Sequence, residues 1–202
     1  MKRTKLFFST VLFIFSAVST SLFAQMQRPA PSPAASVSQV VGFTKISIDY
    51  SSPGVKERKV FGELEAYGKT WRAGANSATT ISFSTAVKIG DKTLNPGKYS
   101  IFITPEENGP WTVHFNKDAK AVFAYMVDGK IDEEALAKDD AASVKVEPAE
   151  LDQSMERLMY LISAEDNKTA KVIMVWDKVM ITVEVDTMVD ETIESMQSIF
   201  KS

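Results

Sequence analysis

The stretch "TWRAGANSATTISFS", Thr70 to Ser84, holds the densest set of residues in this 202-residue chain that could bind or catalyse. It sets Arg72 beside Trp71, adds a glycine turn and Asn76, and runs into alternating strand-like sequence. If Thr70 to Arg72 is extended, neighbouring side chains point to opposite faces. Trp71 then anchors the core, while Arg72 is directed to a polar pocket or to the surface. An arginine fork carries five donors and suits bidentate recognition of an anion. Asn76 tolerates left-handed backbone and can bond nearby amides. Tyr50, Arg58 and Tyr67 lie just upstream, and a tyrosine can stack on a sugar ring while offering a hydroxyl. These five residues, with Glu63, form the candidate lining of a shallow site for a carboxylate- or hydroxyl-rich ligand. The structural alternative makes Arg72 a brace that ties loop carbonyls and Glu63 together.

Other chemistries are poorly supplied. His114 is the single histidine, so a Ser-His-Asp triad would have to use it, and a zinc site needs several nitrogen or sulfur ligands. Trp111, Val113 and Phe115 take the opposite phase of its strand, which predicts a solvent-facing histidine. Cysteine is absent, which removes disulfides, thiolate nucleophiles and thiolate metal sites. The acidic turns at Glu106 to Asn108 and Glu165 to Asn167 are each too short to hold calcium. Carboxylates are plentiful, and a glycan hydrolase needs only two at the right separation. Glu63, in "FGELEAYG", is the best single candidate for such an acid or base. Its structural counterpart is an ion pair with an arginine. No catalytic residue, metal or cofactor is assigned from these patterns.

Around these residues the chain is organised simply. Lys2, Arg3 and Lys5 precede an apolar run from Leu6 to Val18 and small residues up to Ala24, the layout of a cleaved signal peptide over residues 1–24. The run is shorter than a bilayer span. Without those three basic residues the formal charge of −3 becomes −6. A net acidic surface disfavours nucleic acid and anionic membrane as partners. Residues 25–35, "QMQRPAPSPAA", read as a disordered Pro-rich linker.

Period-two alternation begins near Ser36 and recurs at Ile46, Ile48 and Tyr50, at Ile81 and Phe83, at Tyr99, Ile101 and Ile103, and from Val179 to Val185. "LNPGKY" and "EENGPW" carry tight-turn chemistry, and "WDKV" is read as joining two strands. The pattern predicts an all-β, antiparallel sandwich over residues 36–185, jelly-roll-like, with short helical insertions. "KIDEEALAKDD" predicts a short solvated helix. In 186–202, Val189, Ile193, Met196 and Phe200 form one apolar stripe of a C-terminal helix, with Asp190 or Thr187 as N-cap.

Three blocks carry a family resemblance: "SVSQVVGFTKISIDYSSPGVKERKVFGEL", "YGKTWRAGANSATTISFS" and "LNPGKYSIFITP", with weaker continuation at "WTVHFNKD" and "VKVEPAELDQSMERL". Through them the chain resembles DUF2911, exported bacterial domains of unknown function. The resemblance implies a β-sandwich behind a signal peptide, and implies no reaction or ligand. Ser77 stands where such domains often carry an acidic residue, and Lys120 to Ala142 follows their pattern poorly.

The expected function is a periplasmic or secreted, non-enzymatic binding domain for a polar small molecule or glycan, without a membrane span in the mature protein. The alternatives are a carboxylate-based glycan hydrolase using Glu63, or a subunit that docks a protein partner through its C-terminal helix.

Overall fold

The computed structural model describes residues 28–201. The leader, its cleavage site and the first three residues of the Pro-rich segment lie outside them. The strands are β1 (Ala34–Val41), β2 (Thr44–Ser51), β3 (Thr80–Phe83), β4 (Val87–Ile89), β5 (Lys92–Leu94), β6 (Gly97–Thr104), β7 (Trp111–Asn116), β8 (Met126–Val127), β9 (Lys130–Ile131), β10 (Asp140–Val146), β11 (Ala149–Ser163) and β12 (Thr169–Asp186). The α-helices are α1 (Glu133–Lys138) and α2 (Val189–Ile199). Two antiparallel sheets result, ordered β1-β2-β3-β6-β7-β10 and β11-β12-β4-β5, with β8-β9 as a separate hairpin. This is an all-β sandwich.

Alternation explains which faces meet. Ile46, Ile48, Ile81, Phe83, Ile101, Ile103, Val113 and Phe115 of the larger sheet are buried against Leu158, Tyr160, Val172, Met174, Ile181 and Val183 of the smaller one. At one end of this core Phe61, Trp71, Trp111 and Trp176 pack ring against ring, with Phe61 and Trp111 at 4.7 Å and Trp71 and Trp176 at 5.6 Å. The indole Nε1 atoms of Trp71 and Trp176 are buried without a hydrogen-bond partner, so packing alone holds them. Trp71 is fixed along β6 by two backbone bonds to Ile103, of 2.9 and 3.0 Å. It continues the line of β3, whose last pairing on β6 is Thr80 with Ser100.

Three sequence expectations change. β1 starts at Ala34, paired with Ser51, so the linker ends before residue 35. "WDKV" is no turn: β12 runs through it unbroken for 18 residues, and Asp177, at φ 52°, sits where the β11–β12 register shifts. Ser154 Oγ donates to the Asp177 carboxylate at 2.7 Å and holds the bulge. The N-cap of α2 is Met188, in left-handed conformation and without a side-chain cap bond. Asp190 instead lies in the first turn, where Lys168 donates to both its oxygens at 2.6 and 2.8 Å. Of the expected stripe only Val189 is buried, while Ile193, Met196 and Phe200 stay exposed. No described helix is long and apolar enough to cross a membrane.

Trp176 is the largest fully buried side chain and touches both Phe61 and Trp71. Trp176→Ala should lower the urea unfolding free energy by about 3–5 kcal/mol, through lost burial and the cavity left behind.

Candidate functional site

β6 breaks the simple alternation, because Phe102 on its outer face is as buried as Ile101 and Ile103 on its inner face. The covering comes from residues 117–139, which leave the sheet after β7 and return at β10. Two short 3₁₀ turns, Lys117–Ala119 and Val122–Tyr125, lead to the β8–β9 hairpin and then to α1. Val122, Tyr125 and Leu136 close over Phe102 as a second small core, with the Phe102 and Tyr125 rings edge to face at 5.7 Å. Asp132 caps α1, its Oδ1 accepting from the amides of Glu134 and Ala135 at 3.1 and 3.0 Å. The Tyr125 hydroxyl and Lys120 Nζ both donate to Asp139 Oδ2, at 2.9 and 2.5 Å. Those two bonds hold the Asp139 carboxyl below its ordinary range, the Lys120 bond being the larger cause.

His114 pairs across the strands with Phe102, on the same outer face. The expected outward phase is therefore correct, and the expected solvent exposure is not: between Asp140 of β10 and Thr104 of β6 its side chain is left 14% accessible. Its Nδ1 lies 2.8 Å from Asp140 Oδ2 and its Nε2 3.2 Å from Thr104 Oγ1. Asn116 Nδ2 donates to the other Asp140 oxygen at 2.8 Å. Thr104 Oγ1 is in turn 2.6 Å from Thr70 Oγ1. The Thr70 hydroxyl donates to Glu133 Oε2, and the Thr70 amide donates to Glu133 Oε1 at 3.2 Å. A continuous hydrogen-bonded line thus joins Asp140, His114, Thr104, Thr70 and Glu133, tying the covering segment to the start of the "TWRAGAN" motif.

Between that motif and the covering segment lies a cleft of about 510 Å³. Glu65, Lys69, Thr70 and Arg72 supply its sheet side; Val122, Met126, Lys130, Ile131 and Glu133 supply the other. Arg72 Nε is buried there without a hydrogen-bond partner. Glu65 is half-buried in a tight loop, its amide donating to Val60 O and its carbonyl accepting from Gly62 N, each at 2.9 Å. Burial raises the Glu65 carboxyl from 4.5 to about 7, and the opposing fields of Arg72 and Arg58 do not cancel it. Among the described residues no arginine comes within 4.0 Å of it to form an ion pair. A second depression, of about 490 Å³ beside Lys88, Lys145 and Thr182, contains no unpartnered buried side-chain donor among the described residues.

Of the six candidates from sequence, Arg72 alone lines the cleft. Glu63 is exposed and stands 4.0 Å from Lys59, so the expected arginine partner is replaced by a lysine four residues before it. Arg58 donates to the carbonyls of Val55 and Gly54 at 3.0 and 2.7 Å and reaches Glu65 only through its field. The Tyr67 ring packs over Gly62, which occupies left-handed space at φ 92°. Tyr50 is edge-on to Tyr160 at 5.0 Å, and its hydroxyl accepts from the Tyr160 amide at 3.4 Å. Asn76 does adopt left-handed backbone, at φ 55°, and its Nδ2 donates to Ser32 O at 3.0 Å. The cleft residues missed were Glu65, Thr70 and Glu133. Glu65 stood two positions from the carboxylate selected, and Glu133 stood in a segment read as a solvated helix. Among the described residues no group of three or more His, Asp or Glu is placed to hold a metal ion.

The family described as "Protein of unknown function (DUF2911)" matches residues 32–185. The chain belongs to this family. The DUF2911 region takes in both sheets, the covering segment and every residue that lines the cleft, and it ends before α2. No curated protein and no solved structure matches the chain.

The Glu65 shift has a measurable effect on stability. The folded chain holds this proton more tightly than the unfolded chain, so the contribution is complete below about 4.5 and lost as the pH rises through about 7. Glu65→Gln should therefore stabilise the protein at about pH 8 by about 1–3 kcal/mol, solvent screening being the reason for the lower figure. Near pH 4 the difference should vanish in paired urea titrations.

Proposed function

We propose that this protein is an exported, non-enzymatic binding domain that takes a small polar molecule, of carbohydrate character, into the cleft between "TWRAGAN" and residues 117–139. The observation that carries the reading is Arg72 Nε, a buried donor without an acceptor at the wall of a cleft of ligand size. Val122, Met126 and Ile131 offer an apolar surface for the C–H face of a sugar, and Glu65, Lys69 and Glu133 supply polar groups that fix orientation. The leader-like N-terminus supports export. Calorimetric or fluorescence screening against mono- and oligosaccharides should find ligands whose affinity falls at least tenfold in Arg72→Met. A screen without ligands, or ligands indifferent to Arg72, would sink the reading.

A second reading, a carboxylate-based glycan hydrolase, is favoured by Glu65 and not by Glu63. A carboxyl that titrates near 7 suits a general acid at neutral pH, and Glu133 is the other carboxylate of the same cleft. Turnover of chromogenic glycosides that falls by about 10²-fold or more in Glu65→Gln would favour it; inactivity across a wide panel would remove it.

A further inference from the structure

The charges of the cleft are uneven. Lys69, Arg72 and Lys130 line it against two carboxylates, Glu65 and Glu133. Glu133 already accepts two bonds from Thr70. Glu65 stands beyond ion-pair distance of Arg72 and does not supply the acceptor that Arg72 Nε lacks. A buried guanidinium donor left without a partner is costly, and the group that completes it best is a carboxylate, which its fork can engage bidentately. On the opposite wall Val122, Met126 and Ile131 are apolar and suit ring or chain carbons.

We infer that the ligand of this cleft is a sugar acid, whose carboxylate is held by Arg72 beside the Glu65 carboxyl. The inference rests on the binding-domain reading above. An ionised Glu65 beside a ligand carboxylate would repel it, whereas a protonated Glu65 donates a hydrogen bond to it. The charged groups acting on Glu65 are Arg72 from the motif strand and Arg58 from the preceding loop; Lys69, Lys130 and Glu133 complete the charged lining of the cleft. Burial outweighs both arginines and leaves the proton in place up to about 7, so the free cleft is prepared for an anion at neutral pH. Bound anion strengthens that hold. Binding then takes up protons above about pH 7, and affinity falls as the pH rises.

The matched probes are D-glucuronate and D-glucose, which differ at one position in carrying a carboxylate or a hydroxymethyl group. Titration calorimetry of the purified protein in buffers of different ionisation enthalpy should show glucuronate binding at least tenfold tighter than glucose near pH 6. Its affinity should fall by up to about tenfold per pH unit above pH 7, with uptake approaching one proton per site. Glu65→Gln should bind glucuronate with that pH dependence abolished, and Arg72→Met should lose the preference over glucose while keeping its urea midpoint. Equal, pH-independent binding of both sugars would overturn the inference and leave the binding reading standing. Binding of neither at millimolar concentration would overturn both. Pronounced proton uptake in wild type that persisted in Glu65→Gln would remove Glu65 from its role. The buffer comparison on wild type does not depend on any variant folding.

Discussion

Burial of Phe102 on the outer face of β6 governs much of the architecture around the cleft. A strand in a two-layer sandwich ordinarily gives one face to the core and the other to water. Here both faces of β6 are apolar at Ile101, Phe102 and Ile103, and the outer one is closed by Val122, Tyr125 and Leu136. That small core draws residues 117–139 across the sheet. The same covering brings Glu133 to Thr70. Without it the "TWRAGAN" motif would lie on an open sheet surface; with it the motif becomes one wall of a cleft.

The cleft wall is made rigid from beneath. Trp71 joins two backbone bonds to Ile103 with ring contacts to Phe61 and Trp176, so the residue before Arg72 is anchored in the core. The sequence logic of adjacent residues on opposite faces is realised directly: Trp71 goes inward and Arg72 lines the cleft. Partial burial then lowers the effective dielectric around Glu65 and Arg72, which strengthens their fields and makes ionisation of the carboxyl unfavourable. A hydrogen-bonded line on the outer face, from Asp140 through His114 to Glu133, adds polar order where most sandwiches meet solvent.

Much of the sandwich was legible because period-two alternation reports directly on which face is buried. Ile46 and Ile48, Ile81 and Phe83, and Trp111, Val113 and Phe115 all face the core as their spacing requires. The family resemblance also rests on short blocks whose order the structure preserves, and the family match extends beyond them. "WDKV" failed as a turn because Asp177 accommodates left-handed backbone inside a bulged strand, and turn-like residues serve bulges equally well. The site was less legible. Two carboxylates two positions apart, Glu63 and Glu65, differ wholly in environment, and no local pattern distinguishes the one that faces Arg72. The signal that could have located the covering segment was the unbroken apolar run Ile101-Phe102-Ile103, which marks a strand buried on both faces.

The covering segment puts three residues, Val122, Tyr125 and Leu136, into a small core around Phe102 of β6, while the main core is built from other residues. That separation is a form of modularity. Changes at Met126, Lys130 or Ile131 alter one wall of the cleft without touching the aromatic cluster that supports the other. A lineage could therefore retune what the cleft admits by varying a short surface insertion, while the sandwich beneath it keeps both its shape and the placement of Arg72.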